Sequence, residues 1–352
     1  MSTYLSQQLA DDYVGFRQQA NLSYLRPDSP LPLVVRPAVK GANLIEWTAA
    51  NTLFIESYLK RNGAILFRDF GLLAVAEFEQ LIEVVSGHLL DFSYRSTPRT
   101  VVSGKIYSSA EYPAHQSISL HNENSYALSW PMKIWFYALQ VAKEGGETPI
   151  ADSRKIYKAI PAEIRDCFVR QGLMYARNYG TGLGLPWQDV FQTSQRGVVE
   201  NYCRESGMKY EWIGDDQLRT RQVCQVVKRH PSTRDMVWFN QAHVFHISRL
   251  PAEVRDWLLG AFGEDNLPRN VYFADGSPID PAMIDEISNA CEAQSVVFPW
   301  NAGDVLLLDN MLAAHGRNPF TGSRKVVVGM AESNQSYQPG RAAAPHNKTL
   351  SV

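Results

Sequence analysis

Among the eight histidines of the chain, His121 stands apart because Glu123 follows it with only Asn122 between. On an extended segment, residues i and i+2 project from the same face. This imidazole and this carboxylate would therefore point to one side, with donor atoms close enough to share a metal ion. Two histidines and one carboxylate on one face of an octahedron leave three positions open, the donor set of non-haem iron(II) oxygenases. An H-x-E pair alone is usually surface decoration, so a third ligand is required. His315 is the candidate. It follows the buried-looking strand Asp304-Val-Leu-Leu-Leu-Asp309 and precedes the loop Gly316-Arg-Asn-Pro319, near the rim of a sheet, where sites are commonly built. Taken alone, His315 reads as an isolated histidine beyond a strand end. Its neighbours change that reading, because Arg317 and Arg324 follow it and a guanidinium can clamp a carboxylate with two parallel hydrogen bonds. Thr148, in Gly145-Gly-Glu-Thr148, can offer a hydroxyl to the same carboxylate. The parts needed to hold a dicarboxylate against iron are thus present.

The elements that must position these residues are mostly strands. Met132–Val141, Met236–Asn240, Ser295–Phe298, Asp304–Leu308 and Lys325–Met330 read as strands, separated by turn signals at Gly145-Gly146, Asp275-Gly276 and Asn301-Ala-Gly303. Upstream, Asn43–Lys60 has helical apolar spacing, Gly63–Phe70 reads as a short strand and Ala74–Val85 as an amphipathic helix. The strands are scattered and mostly not joined by regular helices, which disfavours a doubly wound α/β sheet. The expected fold is mainly β with added helices, a barrel or double-sheet jelly roll. Residues 1–352 read as a single catalytic domain. Within it, residues 1–40, with Pro27, Pro30, Pro32 and Pro37, are expected to be an extended N-terminal extension on the surface. Residues 174–235, rich in Gly, Tyr, Trp, Gln and Arg, are expected to form a lid-like insertion.

Composition excludes several function classes. The chain has 352 residues, 45% of them hydrophobic, enough for a substantial core, and a net charge of -2. That balance gives no electrostatic reason to expect nucleic acid or an anionic membrane as partner. The four cysteines, Cys167, Cys203, Cys224 and Cys291, are widely and irregularly spaced, which suggests free thiols rather than a disulfide framework or a thiolate zinc site. No apolar run approaches membrane-spanning length. The opening MSTYLSQQLADDYVG lacks the pattern of a secretory leader, so a cytoplasmic location is expected.

Three segments in this order carry a specific resemblance: His121-Asn-Glu-Asn-Ser-Tyr126, Gly145-Gly-Glu-Thr-Pro-Ile-Ala-Asp-Ser-Arg154, and Asn310-Met-Leu-Ala-Ala-His315-Gly-Arg-Asn-Pro-Phe320 leading to Arg324. From about Gly63 to Glu332 the chain resembles the taurine dioxygenase (TauD/TfdA)/clavaminate synthase-like superfamily of iron(II)- and 2-oxoglutarate-dependent oxygenases. The resemblance implies a double-stranded β-helix (jelly roll, cupin-like). It implies iron(II), 2-oxoglutarate and O2 as cofactor and co-substrates. His121, Glu123 and His315 match the iron ligands, Thr148 matches the threonine on the distal carboxylate of 2-oxoglutarate, and Arg324 best matches its arginine, with Arg317 as competitor. Glu123 stands where halogenating relatives carry a small residue, which implies hydroxylation. Val328 stands where taurine dioxygenase carries a second arginine, which argues against a sulfonate substrate.

Further stretches, Ser96-Thr-Pro-Arg-Thr100, Ala176-Arg-Asn-Tyr-Gly180, Tyr210-Glu-Trp212, His230-Pro231 and Trp238-Phe-Asn-Gln-Ala-His243, resemble the syringomycin-type amino-acid β-hydroxylases of non-ribosomal peptide biosynthesis. That implies an amino-acid substrate, with a peptidyl carrier protein as partner. Arg99 and Arg177 are then candidates for a substrate carboxylate, and Asn240, Gln241 and His243 for the pocket lining. Trp187 and Trp212 are candidates for a lid, against plain packing. His230 and His246 read as structural, and Asp152 and Arg154 as shaping the turn after Thr148. Desaturation, cyclisation or epoxidation of a free small molecule uses the same ligands and stays open. A non-catalytic binding protein would have lost a ligand, and a zinc hydrolase would leave the Arg/Thr pair without a role.

Overall fold

The computed structural model describes residues 20–337, apart from positions 28, 72, 92, 93, 95 and 110. In chain order its strands are β1 (Ala20–Arg26), β2 (Ser29–Pro37), β3 (Ala64–Phe67), β4 (Val101–Ser103), β5 (Ile106–Ser108), β6 (Ile118–His121), β7 (Pro131–Gln140), β8 (Glu144–Gly145), β9 (Ile150–Asp152), β10 (Leu173–Tyr179), β11 (Lys209–Ile213), β12 (Gln217–Cys224), β13 (Val227–Arg229), β14 (Met236–Trp238), β15 (Arg269–Phe273), β16 (Val305–Asp309), β17 (Ala313–Arg317), β18 (Phe320–Thr321) and β19 (Lys325–Ser333). The major sheet has the order β1-β2-β3-β16-β7-β19-β5-β4, and a smaller sheet has the order β6-β17-β9.

Strand β7 shows why its sequence is apolar almost throughout. Its alternate residues Trp135 and Tyr137 pack outward with Val305, Leu307 and Val327 against Trp47, Phe54, Leu59, Phe78 and Leu81. The latter come from helices α1 (Leu44–Ala50), α2 (Thr52–Asn62) and α3 (Val75–Ser86). The intervening Ile134, Phe136 and Ala138 face inward with Leu306, Leu308, Val326 and Val328, opposite Ile150 and Ala313 of the smaller sheet. Both faces of the major sheet are buried, so the period-2 alternation of a half-exposed strand is replaced by a continuous apolar run. The two sheets facing across this core form the double-stranded β-helix.

Several sequence expectations need correction. Residues 1–19 lie outside the described residues. The rest of the extension does not simply wrap the surface: β2 pairs in parallel with β3, and Leu33, Val34 and Val35 are fully buried. The helical stretch from Asn43 is two helices, not one. Asn51 separates them, its side-chain amide donating to Trp47 O at 2.7 Å in competition with the helical ladder. Ser295–Phe298 is not a strand but makes a single bridge, Ile150 to Val296. His315 lies within β17 rather than beyond a strand end. Residues 174–235 carry their own order, as β10, β11 and β12 form a four-stranded sheet with β15. All four cysteines are free thiols. Among the described residues no helix is long and apolar enough to cross a membrane.

One buried ion pair locks the major sheet. Arg68, just after β3, places Nη2 2.6 Å from Asp304 Oδ2 and 2.8 Å from Pro299 O, while Asn301 N–H also donates to Asp304. Removing one partner leaves the other charge buried and uncompensated. Arg68→Ala should therefore lower unfolding stability by about 3–5 kcal/mol, read as a shift of the urea midpoint. A loss below about 1 kcal/mol, the value of an exposed pair, would contradict the role given to it.

Candidate active site

The site is built at the pairing of β6 with β17. Their register sets His315 directly opposite His121, and the rings stand 4.5 Å apart between centroids. Gly316 permits this approach, because a Cβ at that position would lie 2.6 Å from Ile118 O. Glu123 stands just beyond the end of β6, in the turn that follows, rather than on the strand. Its carboxylate nevertheless returns to the same side. One donor atom from each of His121, Glu123 and His315 lies within 4.8 Å of the others, and His315 Nε2 is 3.8 Å from Glu123 Oε2.

The donor set suits a divalent iron ion. Nδ1 of His121 is 2.8 Å from Ser119 O, so Nδ1–H donates there and Nε2 keeps its lone pair for a metal. Burial lowers the His121 pKa, against the pull of Glu123 and the Ser119 carbonyl. Arg99 adds a smaller lowering push. Burial pushes His315 well below the ordinary value, with repulsion from His121 and then Arg99 adding to it. Both rings are thus neutral at pH 7, the state a metal requires of imidazole.

Glu123 is held from its backbone. Asn310 Oδ1 accepts from Glu123 N–H at 2.7 Å. Asn310 Nδ2 donates to Glu123 O at 2.9 Å and to Pro131 O at 2.8 Å. Asn122 donates to Asn310 O at 2.6 Å and to Ser153 Oγ at 3.0 Å, and Gln241 Nε2 reaches Asn122 O at 2.8 Å.

The three donors open into a cavity of about 230 Å³ that Thr148, Arg324, Arg317, Arg99, Gln241 and His243 also line. Arg324 crosses behind Gly146, donating from Nε to Gly146 O at 2.8 Å and from Nη2 toward Thr148 Oγ1 at 3.4 Å. A Cβ at Gly146 would lie 2.9 Å from Arg324 Cδ, and its φ is +73°, so the glycine serves both turn and arginine. Burial, then Arg317, lowers Arg324 to about 10, with Glu147 pulling the other way, so it stays cationic at pH 7. Arg317 is engaged differently: it donates to the carbonyls of Tyr112, Pro113 and Gln116 at 2.7–2.9 Å.

The remaining candidates divide. Arg99 reaches the cavity, but its Nη2 is 2.8 Å from Glu123 Oε2. His243 lines the cavity and its Nε2 lies 2.8 Å from Leu120 O; burial drives its pKa to about 4, so Nε2–H donates. Asn240 does not line the cavity; it bonds Val226 O and Ala242 N–H. Arg177 does not line it either, lying over the rings of Tyr94, Tyr126 and Tyr179 at 5.0–5.7 Å. Trp187 and Trp212 pack edge to face on each other at 5.2 Å. Among the described residues, none from 174–235 lines the cavity. His230 bonds Asp309 at 3.0 Å, and Asp152 caps the next helix through Arg154 N–H at 2.8 Å. Sequence reasoning assigns no role to Asn310, although it lies inside a quoted motif, nor to Arg249 and Arg269, which also line the cavity.

A double-stranded β-helix whose cavity gathers two neutral imidazoles, one carboxylate and an arginine–threonine pair is the architecture of a non-haem iron oxygenase. Residues 27–331 match the family described as Taurine catabolism dioxygenase TauD, TfdA family. The chain is 40% identical over 323 residues to the dapdiamide synthesis protein DdaC of Enterobacter agglomerans, covering 89% of this chain and 97% of that one. It is 29% identical over 319 residues to a clavaminate synthase-like protein of Arabidopsis thaliana, covering 87% and 92%. PvcB of Pseudomonas aeruginosa shares the fold, with a TM-score of 0.54 at 14% identity over 89% of this chain and 91% of that one. The chain belongs to the TauD/TfdA family and is a 2-oxoglutarate-dependent dioxygenase that uses iron and O2.

Because Asn310 fixes Glu123 through two backbone hydrogen bonds, and Pro131 through a third, without touching the metal position, Asn310→Ala should weaken iron(II) affinity by about 10- to 100-fold. Anaerobic metal titration reads this directly. Unchanged affinity in a folded Asn310→Ala variant would show that the turn after β6 holds its shape unaided.

Proposed function

We propose that the protein hydroxylates an sp3 carbon of an amino acid presented as a carrier-protein thioester, in the biosynthesis of a peptide natural product. Iron is held by His121, Glu123 and His315, and the distal carboxylate of 2-oxoglutarate by Arg324 and Thr148. The observation that carries the co-substrate assignment is the placement of Arg324 and Thr148 together in the cavity of the three donors. The substrate assignment leans on the near full-length similarity to a protein of dapdiamide synthesis. Val328, where taurine dioxygenase carries an arginine, turns the reading away from sulfonates.

When bound, iron, 2-oxoglutarate and O2 together supply the oxidation of a C–H bond, with succinate and CO2 as co-products. The chain's own contribution is placement. Arg324 neutralises the distal carboxylate in a desolvated pocket, where a charge-assisted pair is strong. Thr148 accepts from Trp300 Nε1 at 3.1 Å, which leaves its own hydroxyl hydrogen free to donate to the same carboxylate. Neutral His121 and His315 leave Glu123 as the one anionic ligand. Phe136, with its ring 5.1 Å from that of His315, excludes water from one side. Arg317 holds the segment 112–116 over the cavity through its three carbonyl contacts.

Arg324→Ala should raise the apparent KM for 2-oxoglutarate by about tenfold or more. Arg317→Ala should instead lower thermal stability. Loss of 2-oxoglutarate affinity in Arg317→Ala but not in Arg324→Ala would exchange the two roles. Competition between free and carrier-loaded aspartate, glutamate and asparagine, scored as gain of one oxygen atom and as succinate formed, tests the substrate. Turnover confined to free small molecules overturns the tethered reading.

A further inference from the structure

The cavity has a second cationic wall that the co-substrate does not use. Gln241, His243 and Val244 come from the short helix Ala242–Phe245 and its N-terminal flank, Arg249 and Leu250 from the turn that follows, and Arg269 from the first position of β15. The two arginines of this wall differ. Arg249 is already engaged by Asp285 at 3.0 Å and Glu292 at 4.0 Å. Arg269 has no carboxylate within ion-pair distance among the described residues. Its guanidinium lies 5.1 Å over the ring of Phe245. In the β10–β15 pair it stands directly opposite Arg177, another buried cation, which three tyrosine rings surround. Burial and the Arg177 charge both work against the protonated form of Arg269, and the nearby Tyr112 and Tyr126 hydroxyls only partly oppose them.

A buried cation is retained when something compensates it. Two guanidiniums across one strand pair raise that cost, and no carboxylate of the described chain meets it at Arg269. The position is also well chosen for a ligand. A strand end is rigid, and the guanidinium's planar fork matches a carboxylate with two parallel hydrogen bonds. Because Arg324 and Thr148 already serve the carboxylate of 2-oxoglutarate, Arg269 is left for the other molecule in the cavity. We propose that Arg269 binds a free carboxylate of the primary substrate and so selects a substrate that carries one over its uncharged counterpart. The inference rests on the iron and 2-oxoglutarate reading of the cavity given above. The carboxylate has two possible sources: the side chain of a thioester-bound acidic amino acid, or the α-carboxylate of a free one.

Four probes separate these sources: the N-acetylcysteamine thioesters of aspartate and asparagine, and the two free amino acids. Each is titrated anaerobically into enzyme loaded with iron(II) and 2-oxoglutarate, and the shift of the visible charge-transfer band gives the dissociation constant. The band itself forms before any probe is added, so its failure to form counts against the iron and co-substrate reading, not against Arg269. In the wild type, a carboxylate-bearing probe should bind about tenfold or more tighter than the asparagine thioester, which carries none. Arg269→Gln should remove that preference, and Arg269→Lys should retain part of it. Preference for the aspartate thioester over the asparagine thioester assigns the side-chain carboxylate. Preference for the free amino acids alone assigns the α-carboxylate. A preference that survives in Arg269→Gln, or a wild type whose band no carboxylate-bearing probe shifts, overturns the proposal.

Discussion

The register that places His315 opposite His121 in the β6–β17 pair is the constraint on which the site depends. Side chains alternate along a strand, so a slip of one residue would turn His315 out of the cavity and bring Ala314 or Gly316 in. The pair is short and contains an irregularity between His315 and Arg317, so its own hydrogen bonds cannot be the whole of what fixes it. The flanking contacts do the rest. On the other side β17 pairs with β9, His315 against Ile150. Asp309, bonded to His230, accepts from the N–H groups of Met311 and Leu312 and so fixes the turn between β16 and β17. Asn310, in the same turn, reaches across to Glu123. One turn therefore sets the strand carrying the second histidine and the backbone of the carboxylate.

The cavity chemistry follows from where the charges go. The three candidate ligands supply one formal negative charge, and the lining carries several arginines. Four have distinct polar engagements: Arg99 on Glu123, Arg317 on backbone carbonyls, Arg249 on acidic residues of the helix Pro281–Ala293, and Arg324 beside a threonine, while Arg269 lies over the ring of Phe245. Such a lining suits two anionic molecules bound at once, an account consistent with a dicarboxylate co-substrate and an acidic substrate. It also shows why counting arginines in the sequence cannot assign them.

What is legible in the sequence is what local spacing dictates. The short spacing of His121 and Glu123 is legible, although the reason differs: β6 ends at His121, and the turn that follows returns the Glu123 carboxylate to the same side. β7, β16 and β19 declare themselves as continuous apolar runs because both faces of the major sheet are covered. β17 does not, since Ala-Ala-His-Gly-Arg has little β-propensity and is held as a strand by its neighbours. Ser295–Phe298 has the right composition but sits beside Pro299 and pairs at only one residue. Arg177 and Arg269 illustrate the remaining limit. Both are basic residues in strands, and only the β10–β15 register, between segments far apart in the chain, decides that one is enclosed by tyrosines and the other lines the cavity. The two-helix break at Asn51 is a smaller case, set by a side-chain bond to Trp47 O that competes with the helix.

The central claim is that one iron ion and one 2-oxoglutarate share this cavity through the residues named. Anomalous diffraction from crystals grown anaerobically with iron(II) and 2-oxoglutarate tests it most directly. The account predicts a single iron peak bonded to His121, Glu123 and His315, with the distal carboxylate of 2-oxoglutarate on Arg324 and Thr148. An iron peak that lacks any one of these three ligands, or a 2-oxoglutarate carboxylate seated on Arg317 or Arg269 instead, would contradict it.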